Sequence, residues 1–254
     1  MVNDEYLEIL ERDGVAIVPS VLDHKLVAVL LDELERAISE DAINHPDVFD
    51  KGMVHNCMVR GPNMAALLDH PVLNEYVGKA FSETAIIYAY QSSSLMPHND
   101  NYGSRIHVDS PRFIKGYSTN FGAIFPLSDF TIENGATYYL KGSHLYEDLP
   151  DEEYFYANAS RACCNAGDMI LLYPRLVHAA GFNKTEYARH ALTMNFCRSY
   201  MRQRFDFPRL VPQNVIEKLG ENGRRLIGMN VRMPTSLDEF YLPPDKRLYK
   251  PNQG

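Results

Sequence analysis

The chain opens on a helix, strand, helix pattern. Residues 4–12 place apolar and charged side chains at helical spacing, and Gly14 stands where that helix should stop. Val15-Ala16-Ile17-Val18 is a compact apolar run closed by Pro19, which predicts a strand. Asp23 is placed to cap a second helix, in which Val27, Leu30, Leu31, Leu34 and Ile38 share one face. Residues 41–66 are polar and broken by Pro46, Gly52, Gly61 and Pro62. They read as a long loop over the core, in the position of a lid. Pro71 then opens a helix carrying Leu73, Tyr76, Val77, Ala80 and Phe81.

From residue 84 the period changes to two. Stretches 84–95, 117–127, 136–140, 168–173 and 191–201 read as strands separated by Gly, Pro, Asn and Asp clusters. Successive strands without regular intervening helices argue against a doubly wound sheet. They suit a mainly β sandwich or jelly roll with helices on one outer face. The expected layout is a single domain over 1–254. It has a helical and strand support at 1–83, a jelly-roll core at 84–201, and a C-terminal helix (213–220) and tail at 202–254.

Composition narrows the function classes. A chain of 254 residues with 45% hydrophobic content can bury one large core, and 23% charged residues excludes wholesale disorder. The net charge of −8 gives no general attraction to nucleic acid. No apolar run is long enough for a membrane span, and MVNDEYLEILERDG lacks the basic and apolar regions of a signal peptide. The four cysteines form neither a CxxC pair nor a disulfide framework, so reduced thiols and a cytoplasmic setting are expected. The partner implied is a small-molecule substrate; the oligomeric state stays open.

The candidate chemistry lies in Arg105-Ile106-His107-Val108-Asp109. On an extended chain, residues two apart share a side, so His107 and Asp109 can grip one ion. His178 follows the apolar stretch 168–173. Two imidazoles and one carboxylate form a facial triad that suits Fe(II) and leaves open positions for ligands. A structural zinc site would need a fourth protein ligand. Arg189 heads the last strand. A turn over 181–184 and an antiparallel neighbour would set it beside His178, where its guanidinium can hold a carboxylate. A metal with open positions and a carboxylate anchor fit 2-oxoglutarate. Arg105 and Arg112 bracket the HxD pair and can hold an anionic or polar substrate. Tyr102 belongs to the same polar loop, and His98 precedes it where it can line the pocket. His144 and His190 read as structural, and Asp168 as a strand-start residue.

Several motifs then converge. Glu11-Arg12-Asp13-Gly14-Val15-Ala16-Ile17-Val18-Pro19, Glu133-Asn134-Gly135 running to Gly142-Ser143-His144, Ala166-Gly167-Asp168, and His178…Asn183…Arg189 together resemble the phytanoyl-CoA dioxygenase-like family of iron/2-oxoglutarate oxygenases. The resemblance spans roughly residues 5–200. It implies a double-stranded β-helix (a cupin-like jelly roll), Fe(II), 2-oxoglutarate and O2 as cofactors, and release of succinate and CO2. Gln91, Thr137 and Asn120 are further co-substrate contacts it suggests. Family members that halogenate lack the carboxylate, so Asp109 favours hydroxylation, desaturation or cyclisation of a small polar metabolite. Lys141 replaces the family's usual proline and Ala180 a small hydroxyl residue. Two rival readings remain: a zinc-type cupin hydrolase or isomerase, and a catalytically inactive jelly-roll binding protein.

Overall fold

The computed structural model describes residues 2–47 and 52–253. Helix α1 (Asp4–Asp13) starts where the Asn3 side chain accepts from the Glu5 amide and ends at Gly14, φ +81°. That left-handed turn favours glycine, and a Cβ there would also collide with His144. The chain passes straight into β1 (Val15–Val18). Asp23 caps α2 (His24–Asn44) by accepting from the Leu26 amide at 2.8 Å. The segment expected as a loop at 41–66 is therefore helical at both ends: α2 runs to Asn44, and α3 covers Pro62–Ala66. Residues 48–51 of the expected lid lie outside the described residues. A tertiary contact builds α3. The buried Glu33 carboxylate accepts from the amides of Asn63 (3.0 Å) and Met64 (2.9 Å), replacing a local cap. Helix α4 (Pro71–Ala80) follows, with proline in its first turn as expected.

Strands β2 (Ile86–Leu95), β3 (Asn120–Pro126) and β4 (Tyr138–Tyr139) come next. Helix α5 (Glu152–Asn158) interrupts them, which strand periodicity did not predict. Asp151 starts it by accepting from the Tyr154 amide at 2.7 Å. Strands β5 (Ser160–Arg161), β6 (Met169–Leu172), β7 (His178–Ala179) and β8 (Arg189–Cys197) complete two antiparallel sheets. The larger has the order β1-β6-β3-β8-β2 and the smaller β5-β4-β7. The N-terminal segment thus supplies an edge strand of the main sheet. Asp168 fixes that edge: its carboxylate accepts from the amides of Ser20 and Asn165, both at 2.8 Å. The tail is more helical than expected, with short helices α6 (Phe207–Leu210), α7 (Gln213–Ile216), α8 (Glu221–Leu226) and α9 (Leu237–Phe240).

A mainly β description understates the helices, since α2 alone has 21 residues against 10 in the longest strand. The reason is in the core. One face of the larger sheet, with Phe121, Phe125, Leu171, Leu192 and Phe196, is buried against Leu30, Leu34, Leu73 and Val77 of the helices. Among the described residues, no helix is long and apolar enough to cross a membrane. The other sheet face is left for the site. Directly paired residues share a face, and the register aligns Leu95 with Arg189, Gln91 with Thr193 and Ile124, and Gly122 with Asn195.

Candidate metal centre

His107 and His178 meet through their backbones before their side chains. Each amide donates to the other's carbonyl at 3.0 Å, so the His107 segment lies alongside β7. The imidazoles have matching environments: Nδ1 of His107 is 2.7 Å from the Arg105 carbonyl, and Nδ1 of His178 is 2.9 Å from the Leu176 carbonyl. A carbonyl only accepts, so each Nδ1 is the donor, which leaves Nε2 as the ring nitrogen available to a metal. The ring centroids are 4.2 Å apart. Asp109, two residues beyond His107, brings Oδ1 to 3.7 Å from His107 Nε2. One ligand atom from each of the three residues lies within 4.8 Å of the others. Burial, then the neighbouring His178, hold the His107 imidazole below its ordinary pKa, which keeps it in the neutral form that binds metals.

Arg189 reaches this region by a different route from the one its spacing suggested. Strands β7 and β8 are not neighbours: β7 belongs to the smaller sheet and β8 to the larger. The turn after β7 carries the chain from one sheet to the other. Asn183, fully buried, fixes that passage by donating to the carbonyls of Leu95 (3.1 Å), Met96 (3.2 Å) and Tyr187 (2.7 Å). Arg189 therefore faces the cluster from the opposite sheet. Its side chain is only 2% exposed, its guanidinium carbon lies 4.1 Å from the Phe130 ring centroid, and Nη1 donates to the Gly135 carbonyl. Nε has no hydrogen-bond partner, and no carboxylate among the described residues forms an ion pair with the group. Burial pulls its pKa down to about 9, so it stays cationic at neutral pH. A buried cation without an anion is costly unless a ligand supplies one.

The three ligand candidates and Arg189 line one cavity of about 460 Å³, bounded by both sheets. Gln91, Thr137, Arg105 and Tyr102 line it too. Asn120 does not; its Nδ2 donates to Asn195 Oδ1 at 3.0 Å, and Asn195 is the lining residue. Arg112 is exposed and outside the lining. His98 also lies outside, held on the surface 2.8 Å from Glu186 Oε1. Sequence proximity to the HxD pair misplaced both: His98, before the pair, and Arg112, after it, sit on exposed stretches of chain that leave the cavity wall. Ser93, Thr193, Asn195 and Arg204 were missed. For the first three the signal was available: each is an even number of residues (two, four and six) from Gln91 or Arg189 on the same alternating strand. Arg204, beyond β8, carried none.

Two antiparallel sheets, a cavity between them, two oriented imidazoles with a carboxylate, and an unpaired buried arginine define an oxygenase-type site, and comparison with known proteins names the family. The chain belongs to the phytanoyl-CoA dioxygenase (PhyH) family, whose model matches residues 10–191. It is 31% identical to the uncharacterised protein Rv1501 of Mycobacterium tuberculosis, over 99% of this chain and 96% of that one. It is 24% identical to the dioxygenase FUM3 of Gibberella moniliformis, over 92% of this chain and 84% of that one. Among solved structures, the epimerase SnoN in complex with Fe3+, alpha-ketoglutarate and nogalamycin RO shares the fold with a TM-score of 0.61. The identity there is 22%, over 76% of this chain and 82% of that one. The general class of reaction is that of an oxygenase.

Proposed function

We propose that this protein is an Fe(II)- and 2-oxoglutarate-dependent dioxygenase acting on a small, polar metabolite. On this reading the two sheets are a double-stranded β-helix, and the helices of both termini support it from outside. The observation that carries the proposal is the pairing of the His107, Asp109 and His178 cluster with Arg189 in one cavity. The donor set fits the group: two imidazoles and one carboxylate match Fe(II), and three protein ligands leave positions for a chelating co-substrate. The unpartnered Arg189 Nε fits a co-substrate carboxylate.

Iron(II) with 2-oxoglutarate and O2 supplies an oxidant and leaves succinate and CO2. The residues of the chain bind and orient. His107, Asp109 and His178 hold the metal, with the Arg105 and Leu176 carbonyls fixing the imidazole rings. Arg189 takes the far carboxylate of 2-oxoglutarate, and Thr137 and Gln91 contribute polar contacts from the cavity wall. Asn120 acts by fixing the Asn195 carboxamide. Asp109 occupies the position that a halide would need, which favours hydroxylation, desaturation or cyclisation. We place the activity in the cytoplasm, whose reducing poise would keep the four free cysteines as thiols.

Anaerobic addition of Fe(II) and 2-oxoglutarate should produce a weak visible charge-transfer band that is lost in His107→Ala. Absence of that band in the wild-type protein, together with no 2-oxoglutarate-dependent succinate from any substrate in a metabolite screen, would refute the proposal.

A further inference from the structure

The charges lining the cavity run against those of the whole chain. The chain holds 33 acidic and 25 basic residues. Among its described residues, the cavity is lined by three arginines, Arg105, Arg189 and Arg204, and by one carboxylate, Asp109. Once the site is loaded as proposed above, a divalent metal cancels the 2-oxoglutarate dianion, and Arg189 cancels Asp109. Arg105 and Arg204 are then left as two cations with no anion.

Neither guanidinium is taken by an acid of the protein among the described residues. Both are nevertheless held in place. The Arg204 amide donates to the Tyr88 carbonyl at 3.0 Å, and its Nη1 donates to Gln91 Oε1 at 3.1 Å. Gln91 thereby ties the Arg204 head to strand β2 at the cavity and leaves most of its N–H donors free. The Arg105 guanidinium lies 4.1 Å from the Tyr102 ring centroid. A stacked guanidinium keeps its in-plane donors available for an anion. The Arg105 carbonyl also orients His107, so this cation is attached to the same segment as His107 and Asp109.

From this charge balance we infer that the substrate carries an acidic group, a carboxylate or a phosphate monoester, bound by Arg204 and Arg105 at the cavity. The inference rests on the oxygenase reading and specifies its substrate class. Arg204 is the specificity-determining residue, and Arg105 assists it. A cleft with two uncompensated cations also draws an anionic substrate from an otherwise acidic surface.

The test uses the full chain loaded with Mn(II) and saturating 2-oxoglutarate without O2, so that Arg189 is occupied. Calorimetric titration compares phenyl phosphate, phenylacetate and benzyl alcohol as the uncharged control. At least one anion should bind tenfold or more tightly than benzyl alcohol and weaken as salt is added; the one that binds tells phosphate from carboxylate. Arg204→Gln should weaken that binding roughly ten- to a hundredfold, the loss of a charge-assisted hydrogen bond, and Arg204→Lys should restore part of it. Equal or undetectable binding of the three probes, or full anion affinity in a folded Arg204→Gln protein, overturns the inference. The Fe(II)–2-oxoglutarate band, recorded on the same proteins, reports on the oxygenase reading separately.

Discussion

Replacing Arg189 by Gln separates a role in ligand binding from a role in the fold. The wild-type guanidinium is 2% exposed, donates to the Gly135 carbonyl and leaves Nε unpartnered. A carboxylate held by a guanidinium through charge-assisted hydrogen bonds is stabilised by roughly 2–4 kcal/mol relative to its loss. The dissociation constant for 2-oxoglutarate should therefore rise by roughly thirty- to a thousandfold. The effect on the fold should be smaller. The variant loses the bond to Gly135 and the contact with Phe130, but it also removes a buried cation that has no protein counter-ion. The assay is anaerobic calorimetry with Fe(II) and 2-oxoglutarate, run beside guanidinium denaturation. The chain contains no tryptophan, so intrinsic tryptophan fluorescence is no substitute. Arg189→Lys should fall between wild type and Gln, because it keeps the charge and loses the planar fork. A change in affinity below threefold in a folded Arg189→Gln protein would sink the assignment of this residue to the co-substrate.

Two further outcomes concern stability. Glu33→Ala removes an acceptor from the Asn63 and Met64 amides and from Asn63 Nδ2; it should cost roughly 2–4 kcal/mol and lower Tm by roughly 5–12 °C, and a loss under 0.5 kcal/mol by denaturant titration would contradict it. His144 and His190 are held below the ordinary histidine pKa, in each case chiefly by burial. The fold thus favours their neutral forms. Their contribution is complete above the unfolded pKa of about 6.5 and is lost as pH falls through the lower folded values. Denaturation midpoints should drop between pH 7.5 and 5.5, and the drop should be smaller in His190→Gln, whose Ser94 partner at 2.9 Å can still be met by an uncharged amide.

Local order was legible where one period ran without interruption. The Gly14 end of α1, the Asp23 cap of α2, and the alternation of β8 follow from neighbouring residues alone. Helix α3 was not legible, because the group that caps it, Glu33, lies thirty residues upstream. The same holds for the site. The types and spacing of His107, Asp109 and His178 identified a candidate metal cluster, since side chains two apart on an extended chain share a face whatever surrounds them. The choice between Asn120 and Asn195 as the cavity residue was set by register across β3 and β8.

What the sequence by itself determined was the chemical inventory: two imidazoles, a carboxylate and an arginine in the order of a known family, on segments of recognisable period. The tertiary structure alone decided that Arg189 faces the cluster from the opposite sheet, that His98 and Arg112 stay outside, and that Arg204 comes in from beyond the last strand. The physical reason is range. Periodicity and capping act over a few residues, whereas the sheet a strand joins, and the cavity a side chain enters, depend on backbone pairings and packing between residues far apart in the chain.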